Sequence, residues 1–297
     1  MKNILIVSQY FWPENFKIND VAKGLVAKGY NVSVLTGLPN YPKGKIFEGY
    51  SFLKNKKENY DGVTIYRSLV IPRGNGSGTR LFLNYFSLAL LASVRLLFIK
   101  SKFDKILVYE ASPVTIGIPA IIAKYRFKAP IFFWVQDLWP ESITAAGGIK
   151  NKYVINLVDK LTRFIYWHSK KILVQSRAFI PYILKQKVSS NKIIYLPNST
   201  EKFYVKVNPN GKYKKIMPKD GPTLMFAGNI GEAQGFGTII KSAKYLNDSE
   251  VKVNWVILGD GRQRESLEEK INGLNRLVAV KFEGLIISCT YKPLQNN

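Results

Sequence analysis

Residues 223–235, TLMFAGNIGEAQG, and residues 252–262, KVNWVILGDGR, are built to one plan. Each is a short apolar run that breaks into a glycine-rich turn and then enters a helix-forming stretch. The first reads as a strand (Thr223–Ala227) followed by Gly228, Asn229, Ile230, Gly231, Glu232, Ala233, Gln234 and Gly235. The second reads as a strand (Lys252–Leu258) followed by Gly259, Asp260, Gly261 and Arg262. Two successive strand–glycine loop–helix units are what a parallel sheet uses to hold a phosphate-bearing ligand. Glycines let the backbone come close, and helix N-termini turn their free N–H groups toward the charge. Gly228, Asn229, Gly231, Gln234, Gly235, Gly259, Asp260, Gly261 and Arg262 are the candidate binding residues.

Upstream, the same alternation of strand and helix begins at the first residues. Asn3–Val7 and Asn31–Leu35 read as buried strands, and between them Ile18, Val21, Ala22, Leu25 and Val26 recur at helical spacing until Lys28-Gly29 closes the helix. Strands follow at Val63–Arg67, Lys105–Tyr109, Ile131–Val135, Lys171–Gln175 and Lys192–Leu196. Helices follow at Thr79–Lys100, Thr115–Arg126, Lys152–His168 and Arg177–Lys187. Such regularity predicts an α/β protein with open parallel sheets flanked by helices. Between Asn198 and Gly221 the rhythm stops in a stretch of Asn, Pro, Gly and Lys, as a connection between domains does. The expected division is a first domain over 1–198, a linker over 199–221 and a second domain over 222–284. Residues 285–297 carry no helix signal and form an aberrant tail. The second domain offers three strands, about half of a doubly wound fold, and is expected to be incomplete, leaving apolar faces open to water.

Charge narrows the partners. Lys and Arg total 44 against 20 Asp and Glu, a formal +24, which favours polyanions in general: nucleic acid, anionic lipid or phosphorylated ligands. A single cysteine (Cys289) excludes an internal disulfide framework, and the start of the chain lacks a signal-peptide pattern, so the cytoplasm is expected. One histidine and one cysteine cannot build a zinc site of the usual kind, so no metal is expected. His168, at the end of a predicted helix, reads as structural rather than as part of a triad. The stretch Leu81–Ile99 is strongly apolar but interrupted by Asn84 and Arg95. It is short for a span and reads either as a buried helix or as one lying on a membrane with its basic residues at the headgroups.

Ligands of open α/β sheets sit beyond the C-terminal ends of the strands. The loops there, Ser8–Asn15, Thr36–Pro42, Glu110–Pro113, Gln136–Ser142 and Gln175–Ser176, are rich in aromatic, amide and carboxylate groups and poor in Lys. That composition suits a polyhydroxylated ligand and suits a nucleic acid backbone poorly. Asp137, Glu141, Glu110 and Glu14 are the carboxylates placed to act, each with helix capping as the competing role. Asp137 and Glu141 are the candidate catalytic pair.

The two glycine loops resemble the nucleotide-sugar site of retaining GT-B glycosyltransferases of the bacterial "group 1" class (family four). The loops Ser8-Gln9-Tyr10-Phe11-Trp12-Pro13-Glu14 and Gln136-Asp137-Leu138-Trp139-Pro140-Glu141-Ser142 resemble those of the O-antigen and capsule L-fucosamine (N-acetyl-L-fucosaminyl) transferases. The resemblance covers residues 1–284. It implies two Rossmann-like domains, the first for the acceptor and the second for a UDP-sugar donor. It also implies a lipid-linked (undecaprenyl diphosphate) saccharide as acceptor, work at the anionic inner face of the plasma membrane, and no cofactor or bound metal. Three departures stand out. Asn229 and Gln234 occupy places where many members carry Arg and Lys, Gln136 stands where many carry His, and no Glu in the chain has another Glu eight positions on. Truncation with loss of activity is the expectation that follows. The competing classes are another nucleotide-sugar-handling Rossmann enzyme, weakened because the first strand lacks Gly-x-Gly-x-x-Gly, and a basic membrane-surface-associated binding protein without catalysis.

Overall fold

A computed structural model describes residues 2–51, 56–145, 151–200, 205, 221–231, 234–259, 261, 263–272 and 280–283. The chain divides into two compact units, Met1–Tyr204 and Val205–Asn297. In the first, the elements run β1 (Asn3–Ser8), α1 (Lys17–Ala27), β2 (Asn31–Gly37), β3 (Lys57–Tyr60), β4 (Val63–Ser68) and α2 (Gly78–Leu97). They continue with β5 (Lys105–Glu110), α3 (Gly117–Phe127), β6 (Ile131–Val135), α4 (Glu141–Ala145), α5 (Lys152–His168), β7 (Lys171–Val174), α6 (Ile180–Lys185) and β8 (Ile193–Tyr195). The expected strands and helices all form. The sequence reading missed α4 and β3, a polar strand that pairs antiparallel with β4 at the sheet edge.

The eight strands lie in the order β3-β4-β2-β1-β5-β6-β7-β8, and all pairs other than β3·β4 are parallel. The chain leaves β1 toward β2 and β4, then returns to the other side of β1 at β5. This reversal opens a crevice between the loops that follow β1 and β5, the place where such sheets bind ligands. One apolar cluster packs α2, α3, α5 and α6 onto one sheet face, and a second packs α1 onto the other. Gly29 ends α1 with φ +80, a left-handed turn that lets its N–H bond Val26 O at 2.8 Å.

Helix α2 inverts the usual pattern. Its buried face holds Asn84, Ser87, Ala89, Ala92 and Ser93 beside Leu88 and Leu96, whereas Phe82 (64%), Phe86 (56%), Leu90 (54%) and Val94 point to solvent. Small residues allow α2 to pack against its neighbours, and its polar groups are satisfied locally, Ser93 Oγ by Ala89 O at 2.6 Å and Ser87 Oγ by Asn84 O at 3.0 Å. Among the described residues α2 alone is long and apolar enough to cross a membrane, yet one whole face is packed in the unit. One face of this stretch is buried, and the other is an exposed apolar stripe. His168 is buried among the rings of Tyr125, Phe164 and Trp167, with Nδ1 2.8 Å from Phe164 O, as a structural residue would be.

The second unit has β9 (Thr223–Ala227), α7 (Phe236–Asp248), β10 (Asn254–Leu258), α8 (Arg264–Asn272) and β11 (Val280–Glu283), with parallel order β11-β10-β9. Its core is small: Ile230, Phe236, Ile257 and Leu267 are buried together. Neighbouring residues of edge strand β9, Leu224 and Met225, are both exposed, so this strand offers apolar surface on each face. The expected tail over 285–297 and most of the expected linker lie outside the described residues.

Three buried polar side chains tie the crevice loops of the first unit together. Arg67, from β4, donates to Trp12 O, to Gly37 O at 3.1 Å and to the Glu58 carboxylate on β3, while its guanidinium stacks on Tyr50 at 4.8 Å. Asn84 accepts from Gln9 Nε2 at 2.9 Å and donates to Ile71 O at 2.6 Å. Glu14 Oε1 accepts the backbone N–H groups of Asn40 at 2.8 Å and Tyr41 at 2.7 Å. Glu14 is almost fully enclosed, and burial pushes its carboxyl up to about 7, against the lowering effect of those two N–H groups. A carboxyl that holds its proton more tightly folded than unfolded stabilises the fold below about pH 4.5, and that contribution is lost as pH rises through about 7. Urea unfolding of the wild type against Glu14→Gln, which keeps an acceptor for both N–H groups, should show the wild type losing roughly 2 kcal/mol relative to the variant between pH 5 and pH 8. Parallel pH profiles would contradict this.

Candidate functional site

The crevice at the C-terminal edge of the first sheet is lined by carboxyls, phenols and one guanidinium. Glu110, the last residue of β5, is completely buried, and neither carboxylate oxygen has a hydrogen-bond partner among the described residues. Burial first, and then the nearby Asp137 charge, hold its pKa well above the ordinary value; the backbone N–H groups around it, from Asp137, Ser112 and Gln136, offset this only partly. Asp137, two residues past β6, is half-buried, and burial raises its pKa too. The chain thus brings two carboxyls together where both resist ionisation. Burial of this kind gives each carboxyl a higher proton affinity than a free side chain has.

The phenols of Tyr109 and Tyr85 lie within reach of the Asp137 charge. Tyr109 is pushed up to about 12 by burial and by the Asp137 and Glu110 charges. Tyr85, on α2, is raised by burial and feels both Arg73 and Asp137. Arg73 donates from Nη1 to Tyr10 Oη at 3.1 Å and lies over the Tyr41 ring at 5.0 Å. Tyr10 in turn stacks on Phe16 at 4.7 Å, 9° from parallel. Flat aromatic faces beside neutral and ionisable oxygens are what a sugar ring needs, with C–H groups against the rings and hydroxyls on the polar atoms.

At the ends of β6, β7 and β8 three amides form a second polar patch. Asn198 Nδ2 donates to Gln136 Oε1 at 2.8 Å and to Gln175 Oε1 at 2.6 Å. Gln136 Nε2 is enclosed and has no acceptor among the described residues, an unspent donor beside Asp137 in sequence.

Of the carboxylates expected to act, Asp137 and Glu110 meet in the crevice. Glu14 serves as the loop clamp described above. Glu141 opens α4, where a carboxylate favours the helix N-terminus, and its charge reaches the buried Tyr166. Sequence reasoning passed over Arg73, Tyr85 and Tyr109. Asn84, a lone amide inside an apolar helix, was the one visible signal that this helix borders a polar site.

In the second unit the glycine loops lie side by side at the C-terminal edge of β9 and β10, which places Gly228, Asn229, Gly231, Gln234, Gly235, Gly259 and Gly261 together. A Cβ on Gly259 would fall 1.9 Å from Gly228 O, and one on Gly261 2.2 Å from Ile230 O. These two glycines therefore serve loop-to-loop packing. Gln263 N donates to Ile230 O at 3.0 Å and closes the same interlock. Gly231 N–H, an amide expected to face a phosphate, is met by Gln234 Oε1 at 3.1 Å. An incoming anion competes with that side chain for the amide. Gly235, at φ +64, forms the N-cap of α7. The expected binding residues Asp260 and Arg262 lie outside the described residues, as do Glu232 and Ala233 of the first loop. Among the described residues no cluster of His, Cys, Asp and Glu is placed to hold a metal ion.

Comparison with known proteins places this geometry. A candidate colanic acid biosynthesis glycosyl transferase of Escherichia coli (strain K12), WcaI, is 23% identical over 261 residues, covering 84% of this chain and 63% of that protein. The chain thus spans somewhat less than two thirds of that relative. Among solved structures, Anabaena HepE in complex with UDP and glucose aligns with a TM-score of 0.61 and 15% identity, over 96% of this chain and 70% of HepE. The sucrose-phosphate synthase of Thermosynechococcus elongatus aligns with a TM-score of 0.67 and 12% identity, over 96% and 71%. These likenesses establish the GT-B fold. The model of the glycosyl transferase 4-like domain matches residues 17–199, more than half of the chain, and the chain belongs to that family.

Proposed function

We propose that the chain is a glycosyltransferase of surface-polysaccharide synthesis that takes a UDP-sugar, with an N-acetylated amino-deoxy sugar of the L-fucosamine kind, and presents it to a lipid-linked saccharide on undecaprenyl diphosphate. The observation that carries this reading is the interlock of the two glycine loops, which aligns backbone N–H groups and the start of α7 on one edge of the second unit. Asn229, Gln234 and the loop amides receive the diphosphate, with Asp260 and Arg262 assigned by resemblance. Diphosphate charge is met without a metal or cofactor, by amides, helix dipole and basic side chains. In the first unit Asp137, its affinity for protons raised by burial, positions and deprotonates the acceptor hydroxyl, and Tyr10, Tyr41 and Phe16 supply the aromatic floor. Glu141 supports the same loop from the first turn of α4. WcaI, named for colanic acid biosynthesis, and HepE, solved with UDP and glucose, support the donor and product class.

A location at the anionic inner face of the plasma membrane fits the outward stripe of α2. Phe82, Phe86, Leu90 and Val94 are exposed on a helix that contains no acidic residue and carries Arg80 and Arg95. The same stripe favours a second reading, a basic membrane-surface-associated binding protein without catalysis. No Glu among the 297 residues has a partner eight positions on, so the proposal for this chain by itself is nucleotide binding with little or no sugar transfer.

Calorimetric titration with UDP should give one saturable site in the wild type. Asn229→Asp, which sets a like charge beside the diphosphate, should weaken it at least tenfold. Asp137→Asn, in the other unit, should leave UDP affinity within twofold. Absence of any UDP site in a chain that still binds anionic vesicles would replace the transferase by the non-catalytic alternative.

A further inference from the structure

A pocket of about 620 Å³ opens at the other edge of the first sheet, between the C-terminal end of α5 and the segment joining α6 to β8. Its position follows from chain order: Trp167 lies four residues before β7 and Lys192 immediately before β8, so both lie toward the N-terminal ends of those strands, away from the crevice. Its volume falls in the range of small-molecule sites. Lys160, Arg163, Lys187 and Lys192 line it, together with Phe164 and Trp167.

The charge in this pocket is under-compensated. Among the described residues, Lys160, Lys187 and Lys192 form no ion pair. The nearby carboxylate, Asp159, has both oxygens engaged, by Arg163 Nη2 at 2.8 Å and Gln186 Nε2 at 2.6 Å. Arg163 Nε is enclosed and has no acceptor. Burial first, and then the neighbouring Lys124 ammonium, weaken the hold of Lys192 on its proton. Lys124 and Lys192 are themselves fixed in place, donating to His168 O at 2.8 Å and Trp167 O at 3.0 Å, the last carbonyls of α5. An anion would relieve this crowding of cations.

The rim points to what the anion is attached to. Trp167 (71% exposed), Phe164, Leu157 (68% exposed) and Tyr153 recur along α5 at spacings of three, seven and four, which places them on one outward face. The track runs for about 21 Å at 1.5 Å per residue, away from the cationic pocket. We propose that this pocket binds the phosphate of an amphiphilic lipid whose hydrocarbon chain lies along the exposed apolar track of α5. The site is separate from the donor loops and from the crevice, so it would seat the protein on a lipid rather than bind a reacting group.

The test compares three ligands: inorganic phosphate, a short-chain phosphatidate below its micelle concentration, and phosphatidylglycerol vesicles. It uses the wild type and two double variants. Lys160→Ala with Lys187→Gly removes two pocket cations at little cost to the fold: Lys160 is an exposed helical position, and Lys187 has φ +58, where glycine is favoured. Lys2→Ala with Lys28→Ala removes two exposed cations elsewhere on the unit. Short-chain phosphatidate and vesicles should bind the wild type and the control variant within twofold of each other, and the pocket variant at least tenfold more weakly. Inorganic phosphate should bind far more weakly than phosphatidate. Equal losses in both variants would reduce the effect to diffuse charge and overturn the proposal. So would phosphate binding as tightly as phosphatidate, or no binding to either lipid. UDP titration of the same preparations reports on the donor loops independently.

Discussion

The architecture of the first unit depends on one constraint: the order of strands reverses at β1 and β5. Because the chain crosses from β4 back over β1 to start β5, no connection can fill the space above their C-terminal ends. Loops from both directions converge there, bringing Gln9 and Tyr10 from one side and Glu110 and Asp137 from the other. The cost is a set of buried polar backbone groups in irregular loops. Arg67, Asn84 and Glu14 meet that cost by supplying the hydrogen bonds that strand pairing cannot. The unusual protonation behaviour of the site follows, since carboxyls assembled at the edge of this sheet are buried before they are paired.

The second unit solves a different problem with fewer residues. Its loops are held by backbone packed against backbone, with no room for a Cβ at Gly259 or Gly261. Rigid loops of this sort offer amide N–H groups in fixed positions, which is how a diphosphate can be held without a cation. Gln234 Oε1 on Gly231 N–H shows one such amide already oriented toward an acceptor.

Much of this was legible in the sequence, for identifiable reasons. Ile131–Val135 and Lys152–His168 form as expected because a buried parallel strand is a continuous apolar run and a surface helix has a clear period. The paired glycine turns at Gly228 and Gly259 marked the ends of β9 and β10 for the same reason: only strand–glycine–helix grammar fits them. What could not be read was long-range. Lys57–Tyr60 has no apolar alternation, because this edge strand exists to place Glu58 on Arg67 as much as to fill a core. Helix α2 mixes large apolar residues with Asn84, Ser87, Ser93 and Arg95, so its pattern could not say which face turned inward, and the answer was the face with the small and polar residues. Arg73 and Tyr85 join the site through a tertiary approach that local pattern does not encode. The basic pocket at the end of α5 likewise gathers Lys160 and Lys187 across 27 positions of chain.

The central claim is a division of labour, with nucleotide taken by the glycine loops of the second unit and the crevice of the first left for the acceptor. Hydrogen–deuterium exchange of the full chain with and without UDP tests it most directly. Slowed exchange confined to the amides of residues 228–238 and 259–264, with residues 8–15 and 136–142 unchanged, is the predicted result. Protection of the first-unit loops with none in the glycine loops would contradict it.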